Sequence, residues 1–546
     1  MTPDEGVPRG KGVGGMNRCQ DFSGRRWRRR PASLRHGTIA GAGSSTVWLL
    51  VVFVVIVTAR AYAEEVTPAA VARRIDQHLM PKPPGEGVSF VDDPAFLRRL
   101  TLDLAGRIPA VSEVYEYFEQ DTGARRHTAV RRLMQSGIYY RNMTTFWRRS
   151  WVPQADTREF AAVTDGFEVW LFQRLRDGAR YDELVADILT QDRSADGSAS
   201  SGPRGFYDAN LAKPENLAAS SSRAFMGLNL DCAQCHNHPY SRWTREQFWQ
   251  TAAFFAVLST QDLPRSGPPK IRIPETKTEC EPVFLTPTDL RVPPDADSLG
   301  LRQTLVAWMK HDGDRWMAKN AVNRLWSHFF GEAIIEPMDD LSAHDAQSGP
   351  RAALLDDLAS MFIASGYDLD VMVEGIVSSQ PYRLPSATAS RSDYPLTTVP
   401  IRGLTGEQLY DSLQVAAGLP VERMDLGFRG SRSPRREFAS RFYVERTHGA
   451  ERSITQALAL MNGSLVNDMT TAKGNPFLAS LLTSAFMRPD DQIDTVFLAV
   501  LSRHATAAET EAVRKHFNDN PALPREDRLG GLFWALVNTA EFSTNH

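Results

Sequence analysis

Cysteine is scarce in this chain of 546 residues: Cys19, Cys232, Cys235 and Cys280 are the whole supply. That excludes a scaffold stapled by disulfides and suits a protein that uses thiols for one local purpose. An excess of one charge is also missing, with 62 Lys and Arg against 65 Asp and Glu and a net charge of −3. The balance hides an asymmetry, because residues 1–63 carry ten Lys and Arg against three acids, which leaves the rest of the chain at −10. An acidic body lacks the phosphate-neutralising patch that nucleic-acid binding needs, so no nucleic-acid partner is expected. Neither a G-x-S-x-G elbow, a Walker loop, a dinucleotide fingerprint nor an H-E-x-x-H helix is present, so the common hydrolase and nucleotide chemistries have no positive signal. There is no triplet period to make collagen of the 37 Gly and 33 Pro, and no repeat of 20–50 residues. Apolar residues at 42% and charged residues at 23% describe ordinary globular protein. At roughly 150 residues per domain the length allows two to four folding units.

The leading segment has the three parts of an export signal in order. Arg25, Arg26, Arg28, Arg29, Arg30 and Arg35 form a positive region, Val47 to Ala59 an apolar run, and Ala61-Tyr62-Ala63 an A-x-A cleavage site. A competing reading is an uncleaved anchor, since Ile39 to Ala59 is free of charge and about long enough to cross a bilayer. In both cases the basic flank stays inside and everything after Glu64 is expected in the periplasm or otherwise outside the cytoplasmic membrane, with membrane contact only through this segment.

Past residue 63 the helical period dominates. Leu97, Leu100 and Leu104; Phe167, Trp170, Leu171 and Leu175; and Tyr181, Leu184, Val185, Ile188 and Leu189 each mark one apolar helix face. The spacing returns in Val322, Trp326, Phe329 and Phe330, in Leu354, Leu355, Leu358 and Phe362, and in Leu532, Leu536 and Val537. Strand-like alternation is rare, so the fold is expected to be mainly α. Eight prolines between Thr260 and Ser298 exclude continuous helix there and mark the main boundary. The expected organisation is a basic signal or anchor segment over 1–63, a helical domain over 64–260, a Pro-rich linker over 261–298 and a second helical domain over 299–546. The Ser/Gly-rich stretch 192–205 reads as an exposed loop of the first domain.

One constellation carries chemistry: Cys232-Ala233-Gln234-Cys235-His236, followed by Asn237-His238-Pro239. C-x-x-C-H is the attachment signature of c-type haem, in which both thiols add across the porphyrin vinyl groups and the adjacent His presents its imidazole to the iron. Chance supplies such a match on the order of once per thousand chains of this composition. Two other chemistries use the same residues. Cys232 and Cys235 with His236 or His238, and with Cys280 as a further donor, make a ligand set for tetrahedral Zn. The two cysteines alone make a redox dithiol or a disulfide. His238 lies two residues from His236, too close to reach the opposite haem face, so it can ligate metal only in the zinc alternative.

The run GLNLDCAQCHNHPYSRWTREQFWQTAAFF (Gly227–Phe255) resembles the planctomycete cytochrome-c-type domain of unknown function, as do DDPAFLRRLTLDLAGRIPA (Asp92–Ala110), WRRSWV (Trp147–Val152) and PENLAASSSRAFMGL (Pro214–Leu228). Downstream, NAVNRLWSHFFGEAIIEPMDDL (Asn320–Leu341), ASGYDLDVMVEGIVSSQPYR (Ala364–Arg383), GLTGEQLYDSL (Gly403–Leu413), SITQALALMNG (Ser453–Gly463) and ALVNTAEFSTNH (Ala535–His546) are similar to its usual partner, a planctomycete-specific domain also of unknown function. The resemblance implies a cytochrome-like first domain and assigns no reaction. Asn237 and Ser241 stand where relatives often have Asp, which speaks against a pair of acids doing proton work beside the motif.

These readings lead to one expectation: an exported protein that holds covalent haem c through Cys232, Cys235 and His236 and serves extracytoplasmic electron transfer or haem-linked redox chemistry with an unidentified redox partner. The competing class is a non-catalytic binding or scaffold protein with structural Zn, and a carbohydrate-directed enzyme stands third. His328, Met226, Met338, Met461 and His448 are the candidates for a second axial ligand, each with core packing or hydrogen bonding as the simpler role. Arg98, Arg99 and Asp103 are expected as a solvated charged face or a buried pair tying helices together, and Asn323, Arg324, Asp339 and Asp340 as caps and interdomain ion pairs.

Overall fold

The computed structural model describes residues 66–80, 89–156, 161–191, 202–256, 269–311, 315–342, 349–387, 396–421, 433–441 and 454–546. The signal or anchor segment, most of the 192–205 loop and His448 lie outside the described residues. Among those described, no helix is long and apolar enough to cross a membrane.

The first half runs through α1 (Pro68–Leu79), α2 (Asp93–Ala105), α3 (Val111–Glu119), α4 (Arg125–Met134), α5 (Gly137–Trp151), α6 (Ala161–Arg176), α7 (Tyr181–Leu189), α8 (Arg204–Ala209), α9 (Pro214–Ser221) and α10 (Arg245–Ala252). Starts are written locally. Thr67 and Asp92 cap α1 and α2 by accepting a backbone N–H, each with proline in the first turn. Gly106, at φ 67°, ends α2 in the left-handed conformation that L side chains avoid.

The second half holds α11 (Ser298–His311), α12 (Trp316–Phe330), α13 (Pro350–Ala364), α14 (Leu369–Ser378), α15 (Gly406–Ala416), α16 (Pro434–Arg441), α17 (Ile454–Asn462), α18 (Ser464–Met469), α19 (Pro476–Thr483), α20 (Pro489–Leu501), α21 (Ala507–Asp519), α22 (Arg525–Val537) and α23 (Ala540–Ser543). Strands are two residues long. β1 (Ile271–Arg272) pairs antiparallel with β2 (Glu279–Cys280), β3 (Ser386–Ala387) parallel with β4 (Val399–Pro400), and β5 (Arg402–Gly403) antiparallel with β6 (Thr544–Asn545). The fold is mainly α, as the periodicity predicts. Between residues 269 and 297 there is no helix, only β1, β2 and turns, consistent with the proline density there.

The helices of the two halves do not bury their faces separately. Leu97, Trp147, Leu184 and Phe225 lie in one apolar cluster with Leu305, Trp316, Leu355 and Ile376. A second cluster joins Leu102 and Ile108 to Leu409, Leu413, Val496 and Phe533. Helix α2 therefore sits between two cores, with Leu97, Leu100 and Leu104 in the first and Leu102 in the second. The periodicity marks only one of these faces.

Burying α2 on all sides also buries its charges, which the chain answers with long-range partners. Arg98 donates to the carbonyls of Val500, Glu541 and Phe542, at 3.3, 3.1 and 2.9 Å. Burial pulls its pKa down to about 10, against the raising effect of Glu541. Arg99 donates to the carbonyls of Tyr382 and Leu384 and to Ser386 Oγ. Asp103 is fully buried and accepts from Arg402 at 2.9 Å, Tyr382 Oη at 2.8 Å and Asn545 Nδ2 at 2.8 Å. Of the two roles open to Arg98, Arg99 and Asp103, the structure takes the buried one.

A second set of buried ions joins α5 to α15 and α16. Arg141 and Arg435 flank Asp411, Arg149 pairs with Glu407 at 2.7 Å, and Arg148 and Arg436 share Glu168 at 3.0 Å each. Burial raises the pKa of Glu407, but Arg149, Arg435 and Arg148 outweigh it and hold the carboxyl at about 2.

Candidate functional site

The chain approaches the C-x-x-C-H motif through an irregular turn. After α9, residues Ser222–Met226 wind as a π-helix, which ends at Gly227 with φ 62°. A wider turn leaves carbonyls without their usual helical donors. Helix α12 supplies donors instead: Asn320 Nδ2 reaches the carbonyl of Ala224 at 2.7 Å and Arg324 Nη2 that of Arg223 at 3.0 Å. Arg324 also pairs with Asp339 at 2.6 Å, and Asn323 holds both the N–H and the carbonyl of Ile335 at 2.9 Å. Of the residues expected as caps and interdomain ties, Arg324 holds the backbone just ahead of the motif, whereas Asn323 holds Ile335. Gly227 is needed at its position, because a Cβ there would stand 2.9 Å from Asn320 Oδ1 and 3.1 Å from Leu341.

The motif itself is one turn of 3₁₀-helix, Asp231–Gln234. Ala233 points into the core and is fully buried, while Cys232, Cys235 and His236 are exposed. Both thiols are free. Helix α10 holds the loop from behind: Trp249 Nε1 and Arg245 Nε donate to the carbonyl of Gln234 at 3.1 and 3.3 Å, and the Arg245 N–H donates to Asn237 Oδ1 at 3.0 Å. The start of α10 is fixed in turn by a capping box between Thr244 and Gln247. Trp243, buried against Trp316, closes the loop by accepting the His238 N–H at its carbonyl, 2.8 Å away.

The two histidines are held in opposite tautomers. His236 Nδ1 lies 2.8 Å from the carbonyl oxygen of Asn237. A carbonyl only accepts, so Nδ1 carries the proton and Nε2 keeps its lone pair for a metal. His238 Nδ1 accepts the Tyr240 N–H at 3.2 Å, which leaves the proton on Nε2. His236 is therefore left with Nε2 free of a proton, and His238 is tied to the backbone through Nδ1. Neither Asn237 nor Tyr240 carries a sequence signal for these roles.

The other candidates go elsewhere. Cys280 is buried on β2, where desolvation and then the negative charge of Glu246 push its thiol pKa up. No group of three or more His, Cys, Asp and Glu arranged to hold a metal ion occurs among the described residues. His328 is committed to the carbonyl of Asp103 at 3.0 Å, and burial lowers its pKa. Met226 is fully buried, Met338 half-buried and Met461 exposed.

The residues present fit a c-type haem by donor chemistry: two accessible free thiols at the right spacing and an imidazole whose Nε2 is unprotonated. Tetrahedral zinc on this loop would draw on Cys232, Cys235 and one histidine, with a carboxylate or water as the fourth donor.

Comparison with known proteins bears on the architecture. Residues 62–260 match PSCyt2, described as a protein of unknown function (DUF1549), and residues 301–435 match PSD1, described as a protein of unknown function (DUF1553). No curated protein and no solved structure matches the chain. The C-x-x-C-H loop and the helix behind it fall inside the first matched region, and the α12 residues that grip its approach fall inside the second. The chain belongs to the PSCyt2 family over residues 62–260 and to the PSD1 family over residues 301–435, in that order.

Proposed function

We propose that this is an exported c-type haem protein that serves electron transfer or haem-linked redox chemistry outside the cytoplasm. The observation that carries the reading is the pairing of exposed Cys232 and Cys235 with His236, whose Nδ1 proton is held by the Asn237 carbonyl. Cys232 and Cys235 would hold the haem covalently, and His236 Nε2 would supply a donor to its iron. Asn237 keeps the proton on Nδ1 and so the ring in the tautomer with Nε2 unprotonated. Ala233, Arg245 and Trp249 hold the loop against α10 so that both thiols and the imidazole stay on its outer side. A haem bound there supplies one-electron chemistry. An exposed loop suits exchange with a redox partner protein or small molecule, and the leading segment suits export, which covalent haem attachment requires.

The test is expression in a host with periplasmic haem-attachment machinery. The expected result is a coloured protein whose Soret absorption survives acid-acetone extraction and whose mass exceeds that of the polypeptide by one haem. Cys232→Ser with Cys235→Ser abolishes both. A colourless protein of bare polypeptide mass overturns the reading, and stoichiometric zinc in that protein would favour a structural metal site on the same loop.

A further inference from the structure

Away from the motif, a cavity of about 250 Å³ opens between the start of α5, the turn before α7 and the start of α14. Its walls include Tyr139, Tyr140 and Trp147, and its polar groups are Arg180, Asp368 and Asp370. The loops that form it are pinned together, since the Tyr181 N–H donates to the carbonyl of Tyr367 at 3.1 Å.

The two carboxylates are treated differently. Asp368 is the N-cap of α14: its Oδ1 accepts from the N–H groups of Asp370 and Val371 at 2.9 and 3.1 Å, and its Oδ2 pairs with Arg180. Its charge is answered. Asp370 receives one hydrogen bond, from the neutral hydroxyl of Tyr139 at 2.7 Å. Among the described residues no cation stands within ion-pair distance of it: Arg180, paired with Asp368, acts on Asp370 only through its field, and Glu374 on the same helix adds negative charge, with the mostly exposed His127 imidazole 3.9 Å from Glu374. Burial, with Asp368 and Glu374, pushes the Asp370 pKa up against the lowering effects of the Tyr139 hydrogen bond and the Arg180 charge, and a cation bound in the cavity would favour the carboxylate.

The walls suit the same ligand. Tyr139 and Tyr140 sit with ring centroids 5.1 Å apart, and the faces of Tyr and Trp rings attract organic cations. Trp147, fully buried, completes the aromatic lining behind them. Aromatic walls around a carboxylate with no ion-pair partner of its own among the described residues, in a space of this volume, are the components of an ammonium-binding pocket.

We propose that this cavity binds a small organic ammonium ion, with Asp370 as its counter-ion and Tyr139, Tyr140 and Trp147 as its aromatic wall. This does not depend on the haem reading, since it uses none of the same residues. The test is calorimetric titration of the purified full chain with cyclohexylammonium, cyclohexanol, cyclohexanecarboxylate and methyl glucoside, which are of similar size and differ in charge and polarity. Cyclohexylammonium is expected to bind at least about tenfold more tightly than cyclohexanol, and the carboxylate not at all. Asp370→Asn, checked for folding by circular dichroism, is expected to lose at least about tenfold in cation affinity while keeping the weak affinity for the alcohol. Equal binding of alcohol and cation, preference for the glucoside, absence of cation binding at millimolar concentration, or an unchanged affinity in folded Asp370→Asn would each overturn the proposal. The comparison of ligands on the wild-type chain decides the matter even if the variant does not fold.

Discussion

Asp103→Asn is the sharpest probe of how the two halves are joined. The substitution keeps the shape of a fully buried side chain and removes its charge. All three of its side-chain partners, Arg402, Tyr382 and Asn545, donate to it, whereas an Asn presents an oxygen on one side and two N–H donors on the other. Donors would then meet donors, and the Arg402 guanidinium, only 16% exposed, would lose its carboxylate. Removing one partner of a buried pair costs about 3–5 kcal/mol, and the residual exposure of Arg402 places the expectation near the lower end, at about 3 kcal/mol. Urea unfolding followed by tryptophan fluorescence measures it. The double variant with Arg402→Met is expected to be less destabilised than the sum of the singles, by about 1–3 kcal/mol. Arg488→Gln, which breaks the exposed pair with Asp491 and leaves the Asp491 side chain to cap its helix, serves as the control and should leave the midpoint unchanged. If Asp103→Asn unfolds at the same urea concentration as that control, or if the two substitutions are additive, the buried ion does not join the halves and the reasoning fails.

Acid should unfold the protein partly through Glu407. Its folded pKa of about 2 lies below its ordinary 4.5, so the stability it contributes is present above 4.5 and lost as pH falls from there toward 2. Glu407→Gln should flatten the stability profile in that window while lowering stability at neutral pH; an unchanged slope would count against the pairing with Arg149. Gly227→Ala is expected to cost about 2–3 kcal/mol from the positive φ and the approach to Asn320 and Leu341, read as a lower thermal midpoint, and an unchanged midpoint would refute it. His236→Ala should lose or strongly shift the visible spectrum of the pigmented protein, whereas His238→Ala should leave it nearly intact. The reverse ranking would show the tautomer argument to be wrong.

The apolar helix faces were legible. Tyr181, Leu184, Val185, Ile188 and Leu189 are all fully buried, as are Leu354, Leu355, Leu358 and Phe362, because periodicity records which side of a helix avoids water. Helix α2 shows where that record stops. Leu97, Leu100 and Leu104 mark one face, but the burial of Arg98, Arg99 and Asp103 depends on partners some 280 to 440 positions further along the chain, which no local spacing encodes. The C-x-x-C-H spacing is visible in the sequence because it is written in adjacent residues. The tautomers of His236 and His238 are not, because backbone groups of Asn237 and Tyr240 set them. The cavity was missed for the same reason as the α2 partners: Tyr139, Arg180 and Asp370 come from three separate stretches, and Gly366-Tyr367-Asp368-Leu369-Asp370 reads in isolation as an ordinary helix start.

The π-turn ahead of the motif has its carbonyls held by Asn320 and Arg324, which come from beyond the proline-rich stretch. A gene fragment ending at that stretch would encode the cysteines without the residues that shape their approach, and one starting there would carry donors with nothing to grip. Recombination could not trade either part alone without exposing a torn interface, so the pair is expected to be inherited as one indivisible cassette.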